Sequence, residues 1–299
     1  MATGMEKRSR IAEFLIEKGV IRLSGYAAAV VLLLILFFIL REGLPFLGVY
    51  SFSDFLFKTD WYPLSGRYGM LPLLTGSVMV TLISLVLAVP MALGTAIFMS
   101  ELAPAKLRNA FKILLEILAS IPSVVFGFLG IILLGPWVQK IFGVQTGLNA
   151  FSAGILLAFM ALPTIASVAD EALQAVPRSM REASLALGAS RIQTVFRVTF
   201  PAASSGVIAG VMLGIGRAIG ETMTVMMVAG GSAQIALSPM APVRTMTGTI
   251  AAEMGEVVMG DDHYRALFMI GLLLFIITLG VNTLSGVIIE RIRRRQGAE

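Results

Sequence analysis

The chain of 299 residues has no cysteine and a single histidine, His263. The first absence excludes disulfides and thiolate metal sites, though it says nothing of redox compartment. The second removes metal clusters built on several imidazoles. Charge is also scarce: 14% of residues are charged, against roughly 25% in an ordinary soluble domain. No Gly-x4-Gly-Lys-[Ser/Thr] segment occurs, so a P-loop ATPase site is excluded and any ATP hydrolysis must be borrowed. Low-complexity tracts and short-period repeats are missing too. What is abundant is hydrophobicity, at 57% of residues. That is the composition of a membrane protein. The net charge of +5 is explained by where the basic residues fall, with no need of nucleic acid.

Six apolar runs are long enough to cross a hydrocarbon layer of about 30 Å. They span approximately 23–41, 71–100, 111–134, 151–174, 203–229 and 265–289. They are continuous, without the polar alternation of a barrel strand, which predicts helices. The first run exceeds a signal-peptide core. It is followed by Arg41-Glu42-Gly43-Leu44-Pro45 and not by a small-residue cleavage site, so an uncleaved span is expected. Basic residues set the orientation. With both ends inside, the inner segments hold Lys7, Arg8, Arg10, Lys18, Arg22, Lys106, Arg108, Lys112, Arg178, Arg181, Arg191, Arg197, Arg291, Arg293, Arg294 and Arg295. The outer segments hold only Arg41, Lys58, Arg67, Lys140, Arg244 and Arg265. Expected organisation is therefore a cytoplasmic segment 1–22, one transmembrane domain 23–290 and a basic cytoplasmic tail 291–299. Two long outer loops, 42–70 and 230–264, carry Trp61, Tyr62 and Tyr68, and Glu253 with Glu256 on one helical face. The acidic pair reads as a solvated face or as a contact surface for an external partner. His263 reads as an exposed loop residue.

The inner loop 177–201 is patterned. Pro177 suits a helix start. Arg181 and Glu182 follow, and Glu182 near that start complements the helix dipole. Ala183, Ala186 and Leu187 form an apolar stripe beside Ser184. Gly188 can end the helix in a left-handed conformation. A second helix should then run to Pro201. Such a short helix fits a groove of another protein and transmits its motion; resting on lipid headgroups is the alternative. Glu182-Ala183-Ser184, Gly188 and Val198-x-Phe200-Pro201 keep every interval of E-A-A-x3-G-x9-I-x-L-P, with Ser for Ala, Val for Ile and Phe for Leu. The stretch resembles the EAA loop of bacterial ABC importer permeases. The resemblance implies docking into a cleft of an ATPase subunit.

The fifth run carries two charges, Arg217 and Glu221, where lipid should be. On a continuous helix, Gly206, Gly210 and Gly214 share about 80° of arc with both. Small residues at this spacing allow close helix approach. Arg217 would lie roughly 20 Å from the inner surface, at 1.5 Å per residue. An uncompensated charge at that depth costs at least ~2.5–3.5 kcal/mol. Glu221 at i+4 is placed to pair with it. Two readings stand: a structural ion pair, or an arginine that meets an anion in a wet pathway, with Glu221 holding it until then. The planar guanidinium suits phosphate oxygens.

Gly216-Arg217-Ala218-Ile219-Gly220-Glu221-Thr222-Met223 resembles the fifth-helix signature of phosphate-specific ABC permeases, which adds Thr222 to the pathway. Asp60-Trp61-Tyr62-Pro63, Ile121-Pro122-Ser123-Val124-Val125-Phe126-Gly127, Pro242-Val243-Arg244-Thr245 and Glu253-Met254-Gly255-Glu256 narrow the likeness. They resemble the C-type permeases of the bacterial phosphate-specific (Pst) system. That resemblance implies an all-α membrane protein with six transmembrane helices, the MetI-like fold of type I ABC importer permeases. It further implies a bacterial inner-membrane location, an A-type permease partner, an ATPase dimer and a periplasmic phosphate-binding protein. No cofactor is expected on this chain itself; ATP and Mg would be used by the ATPase. Permeation of molybdate or sulfate, an ion-driven secondary anion transporter, and a phosphate sensor remain as rivals.

Overall fold

The computed structural model describes residues 20–295. Residues 1–19 and 296–299, which hold most of the expected N-terminal segment and the end of the tail, lie outside the described residues. The chain folds as helices α1 (Arg22–Gly43), α2 (Phe52–Phe57), α3 (Leu71–Ile97) and α4 (Ala105–Ser120). Next come α5 (Ser123–Leu129), α6 (Gly135–Phe142) and α7 (Ala150–Gln174). The short α8 (Arg178–Ala186), α9 (Arg191–Thr194) and α10 (Phe200–Ala202) precede α11 (Ser204–Gly220). The last are α12 (Met223–Val228), α13 (Met246–Glu253) and α14 (Asp262–Arg295). A two-stranded hairpin pairs Trp61 with Tyr68 and Tyr62 with Arg67.

The centre of the bundle is α7, packed between α3 and α11. Its start is held by Asn149, whose side chain accepts a hydrogen bond from the Ser152 N–H at 2.9 Å. Small side chains decide its packing. Ala88 and Ala92 of α3 are fully buried against Ala158, Ala161 and Ala166 of α7. Without a hydrophobic drive between helices in lipid, close approach of small residues and the dispersion it allows supply the attraction. Pro163 sits inside α7 without ending it.

Among the described residues, five helical stretches are long and apolar enough to span: Arg22–Gly48, Leu71–Leu102, Ser123–Phe142, Ala150–Gln174 and Asp262–Ile292. A sixth is a bent pair, Arg191–Ala202 with Ser204–Gly220, meeting at 72°. Two expected runs need correction. The run 111–134 is broken: Ile121 and Pro122 are extended, and the qualifying stretch is Ser123–Phe142. Pro122 lacks an N–H and disfavours helix in the residue before it, so the break falls there. The run 203–229 also breaks, between Gly220 and Met223. At the tail, α14 continues as helix to Arg295.

One end of the bundle is closed by the long loops. Phe46, Phe55, Trp61, Tyr68 and Met70 pack against Met246, Leu267 and Ile270. Within this cap Glu253 is a hub. Its carboxylate accepts from Trp61 Nε1 at 3.1 Å, bonds His263 Nε2 at 2.8 Å and pairs with Arg244. The expected solvated acidic face is thus divided: Glu256 is exposed, and Glu253 is mostly buried. His263 also departs from expectation, lying beside the Trp61 and Tyr68 rings at 6.4 Å. Burial, then Asp262 and Asp261, raises the pKa of Tyr68 above the ordinary 10.0 and keeps its phenol protonated.

Candidate functional site

The loop after α7 forms a rigid helical hairpin. Pro177 precedes α8 in an extended conformation, which fits its fixed φ and missing N–H. The helix ends on Gly188 at φ +84°. There the Gly188 N–H bonds the Leu185 carbonyl at 3.0 Å and the Ala189 N–H bonds the Ser184 carbonyl at 3.2 Å. This double closure satisfies carbonyls that a helix end would otherwise leave open. Ser190 starts α9 with a reciprocal cap: its hydroxyl accepts from the Gln193 N–H, and the Gln193 side chain accepts from the Ser190 N–H at 2.8 Å. Ser184 and Thr194 join the two arms through their hydroxyls at 2.9 Å.

Arg181 anchors this hairpin to the bundle. Its guanidinium donates to the carbonyls of Leu173 at 2.6 Å and Val176 at 3.0 Å, and to Glu101 Oε1 at 2.9 Å. The pair is largely shielded, with side chains 20% and 11% exposed. Arg108 similarly donates to the Met99 and Ser100 carbonyls in the turn Phe98–Leu102 that continues α3. The ends of α3 and α7 and the start of α8 are therefore tied at one place. Glu182, Ala183, Leu187 and Gly188 stay exposed, as does Pro201 in α10. Met180, Ala183, Ser184, Leu187, Gln193 and Arg197 line an open groove of about 370 Å³ along the hairpin.

The second site is the broken helix. Gly206, Gly210 and Gly214 lie against α7. A β-carbon on Gly206 would stand 2.5 Å from Ala172 Cβ, and one on Gly214 2.4 Å from Ile165 Cγ1. Gly210 has somewhat more room: a β-carbon there would stand 3.2 Å from the Ile165 carbonyl oxygen. Arg217, in the last turn of α11, is exposed, and its one hydrogen bond among the described residues runs to Thr164 Oγ1 of α7 at 3.3 Å. The helix then stops. Glu221 is extended at φ −68°, ψ 128°, and Thr222 leads into α12.

This geometry overturns the helical placement of Glu221. Among the described residues, no carboxylate lies within the 4.0 Å ion-pair distance of Arg217. Glu221 turns forward instead, and its Oε1 accepts from the Thr224 N–H at 3.3 Å. Its carbonyl accepts from Thr247 Oγ1 at 2.9 Å. Thr222 donates back to the Gly220 carbonyl at 3.2 Å. The structure thus gathers Arg217 with Thr164 and separates it from Glu221. Glu101, Arg108 and Thr164 were not singled out from sequence. Arg108 and Glu101 stand either side of Pro104 at a helix junction, a signal for a cap, but Thr164 carries none. Ser190-x-x-Gln193 was a readable capping box.

Comparison with known proteins identifies the architecture. Residues 88–296 match the family described as "Binding-protein-dependent transport system inner membrane component". The chain belongs to that family. Relatives of this permease family include "Phosphate transport system permease protein PstC" from Xylella fastidiosa, 33% identical over 276 residues, covering 86% of this chain and 83% of the relative. The protein of the same name from Mesorhizobium japonicum is 35% identical over 84% of this chain and 82% of its own. "Probable ABC transporter permease protein YqgH" of Bacillus subtilis is 37% identical over 75% and 74%. Among solved structures, a chain of a bacterial alginate ABC transporter superposes with TM-score 0.64 at 14% identity, covering 94% of this chain and 97% of that one. A MetNI methionine ABC transporter chain gives 0.59 at 20% identity, over 78% and 99%. The fold is that of MetI-like ABC importer permeases: an all-α, multi-pass membrane architecture.

Proposed function

We propose that this chain is the C-type permease subunit of an ATP-driven importer of inorganic phosphate. It forms half of a pathway with an A-type permease and receives phosphate from a periplasmic binding protein. The observation that carries the reading is Arg217, an exposed guanidinium whose place in its apolar run puts it at membrane depth and whose one partner among the described residues is a neutral hydroxyl. A charge left uncompensated there is tolerated where water or an anion reaches it. An arginine fork matches the paired oxygens of phosphate. The relatives named for phosphate transport support the choice of ion over molybdate or sulfate.

The hairpin supplies the coupling. α8, with Glu182, Ala183 and Ser184 in its middle, docks on the ATPase dimer from the cytoplasm, and Gly188 and Pro201 shape the loop around it. Because Arg181 ties α8 to the ends of α7 and α3, displacement of the docked helix moves both. Both termini lie on that side, in the orientation that the basic residues favour. ATP and Mg are used by the ATPase; this chain provides the route and the lever. The deciding experiment is labelled-phosphate uptake into vesicles holding the assembled transporter and its binding protein. Uptake should require ATP and collapse in Arg217→Ala with the complex intact. Uptake driven by an ion gradient without the ATPase, or suppressed equally by sulfate or molybdate, would overturn the assignment.

A further inference from the structure

The helix that holds Thr164 is divided along one face. With Ser167 at zero on a wheel of 100° per residue, Glu171 falls at about 40°, Thr164 at about 60° and Gln174 at about −20°. Ser167, Glu171 and Gln174 are exposed and Thr164 is half-buried. Continuing the same arc toward Ala150, Met160 is 2% exposed, Leu156 7% and Ala153 0%. One stripe of α7 is therefore polar and open from Thr164 to its Gln174 end, and closed beyond it. This is notable because α7 is the central helix, enclosed by α3 and α11 on its other sides.

The closure is built by the two broken helices. Phe126 of α5 and Val228 of α12 pack on Leu156 and Met160 as one cluster. Thr224, just past the break at Glu221, donates to the Ser123 carbonyl, just past the break at Pro122, at 2.8 Å. Its hydroxyl also meets Met160 Sδ at 3.3 Å. Glycines make the seal tight: a β-carbon on Gly127 would stand 2.6 Å from Met227 Sδ, and one on Gly130 2.5 Å from both Val228 and Leu156. Arg217 reaches Thr164 at the boundary between the open and sealed halves.

We propose that the Thr164–Ser167–Glu171 face of α7 lines the inner half of the anion's route, closed toward the outside in this conformation by Met160 and Thr224. This rests on the reading of Arg217 as anion foothold and of the Gln174 end as cytoplasmic. Hydroxyls suit the role, since each donates to an anion oxygen without holding it by charge. Glu171 at the mouth repels an anion, so the ion does not lodge there and leaves. The inner half is roughly 15 Å long, ten residues at 1.5 Å each. Resetting for import then requires α12 to leave α5 while the inner stripe is covered.

The absence of cysteine makes the test direct. Ser167→Cys, Met160→Cys and, as a control on α3, Val86→Cys are introduced separately into the complete transporter with cysteine-free partners. Each is treated from the cytoplasmic side with a charged, membrane-impermeant methanethiosulfonate. In the nucleotide-free state Ser167→Cys should react at least tenfold faster than Val86→Cys, and Met160→Cys should not react. Trapping the ATPases with vanadate should slow Ser167→Cys at least tenfold. Thr164→Cys replaces Ser167→Cys if the latter fails to assemble. Reaction of the route cysteine no faster than the control in either state, or at equal rates in both, overturns the route even where Arg217→Ala abolishes uptake. Normal uptake by Arg217→Ala overturns the foothold itself, whatever the labelling shows.

Discussion

Two arginines, 36 positions apart by their numbers, have opposite surroundings. Arg181 gives hydrogen bonds to two carbonyls and a carboxylate at the junction of three helices. Arg217 gives one, at 3.3 Å, to a threonine hydroxyl, and is exposed. A guanidinium has five donors. Where most of them are taken and solvent is excluded, the residue fixes geometry. Where most remain open, it is available to a ligand. Sequence alone leaves the contrast open, because Arg181 sits on a polar loop and a continuous helix would set Glu221 one turn from Arg217.

The contrast is sharpened most by removing Arg217. Arg217→Ala should lower phosphate uptake at least 100-fold while the complex purifies with normal stoichiometry and melting temperature; a large loss of stability would make it a structural residue after all. Arg181→Ala should show the reverse balance. Losing charge-assisted hydrogen bonds from a mostly buried site costs about 2–3 kcal/mol. The melting temperature of the complex should fall, and Glu101→Gln should fall less, since an amide oxygen still accepts. Gly214→Leu comes next: its β-carbon alone would stand 2.4 Å from Ile165, and overpacking of this kind costs about 1–3 kcal/mol. Co-purification of α7–α11 packing mutants with the partner subunits measures it. Gly188→Ala, forced to φ +84°, should cost about 1–2 kcal/mol locally and reduce ATP-coupled uptake a few-fold. Glu221→Gln should do least, under threefold on uptake, because an amide oxygen can still accept from the Thr224 N–H. A loss equal to that of Arg217→Ala would restore the charge pair that the sequence suggested.

Legibility followed the range of the forces involved. The left-handed Gly188 was readable because a helix end on glycine is a local steric matter. The break at Pro122 was marked by the proline itself, a kink signal inside an apolar run, although a hydropathy window does not register a missing N–H. The break after Gly220 had no such marker. Ala218, Ile219 and Gly220 continue the apolar pattern, and the unwound backbone is satisfied from elsewhere in the chain, by Thr247 on the Glu221 carbonyl. That acceptor–donor pair is 26 residues apart, beyond any wheel or window. Glu101 and Thr164 were missed for the same reason: their partners, Arg181 and Arg217, are distant in sequence.

Composition and local pattern determined that this is a helical membrane protein, that a short helix in the loop 177–201 ends on Gly188, and that Arg217 is out of place in lipid. Those properties come from transfer free energies and short-range sterics, which act residue by residue. Only the folded bundle decided that Glu221 turns away from Arg217, that Arg181 is locked to Glu101, and that α7 is open along half of one face. Each depends on which helices approach closely enough to exclude water or compete for a hydrogen bond, and that is a property of the packed whole.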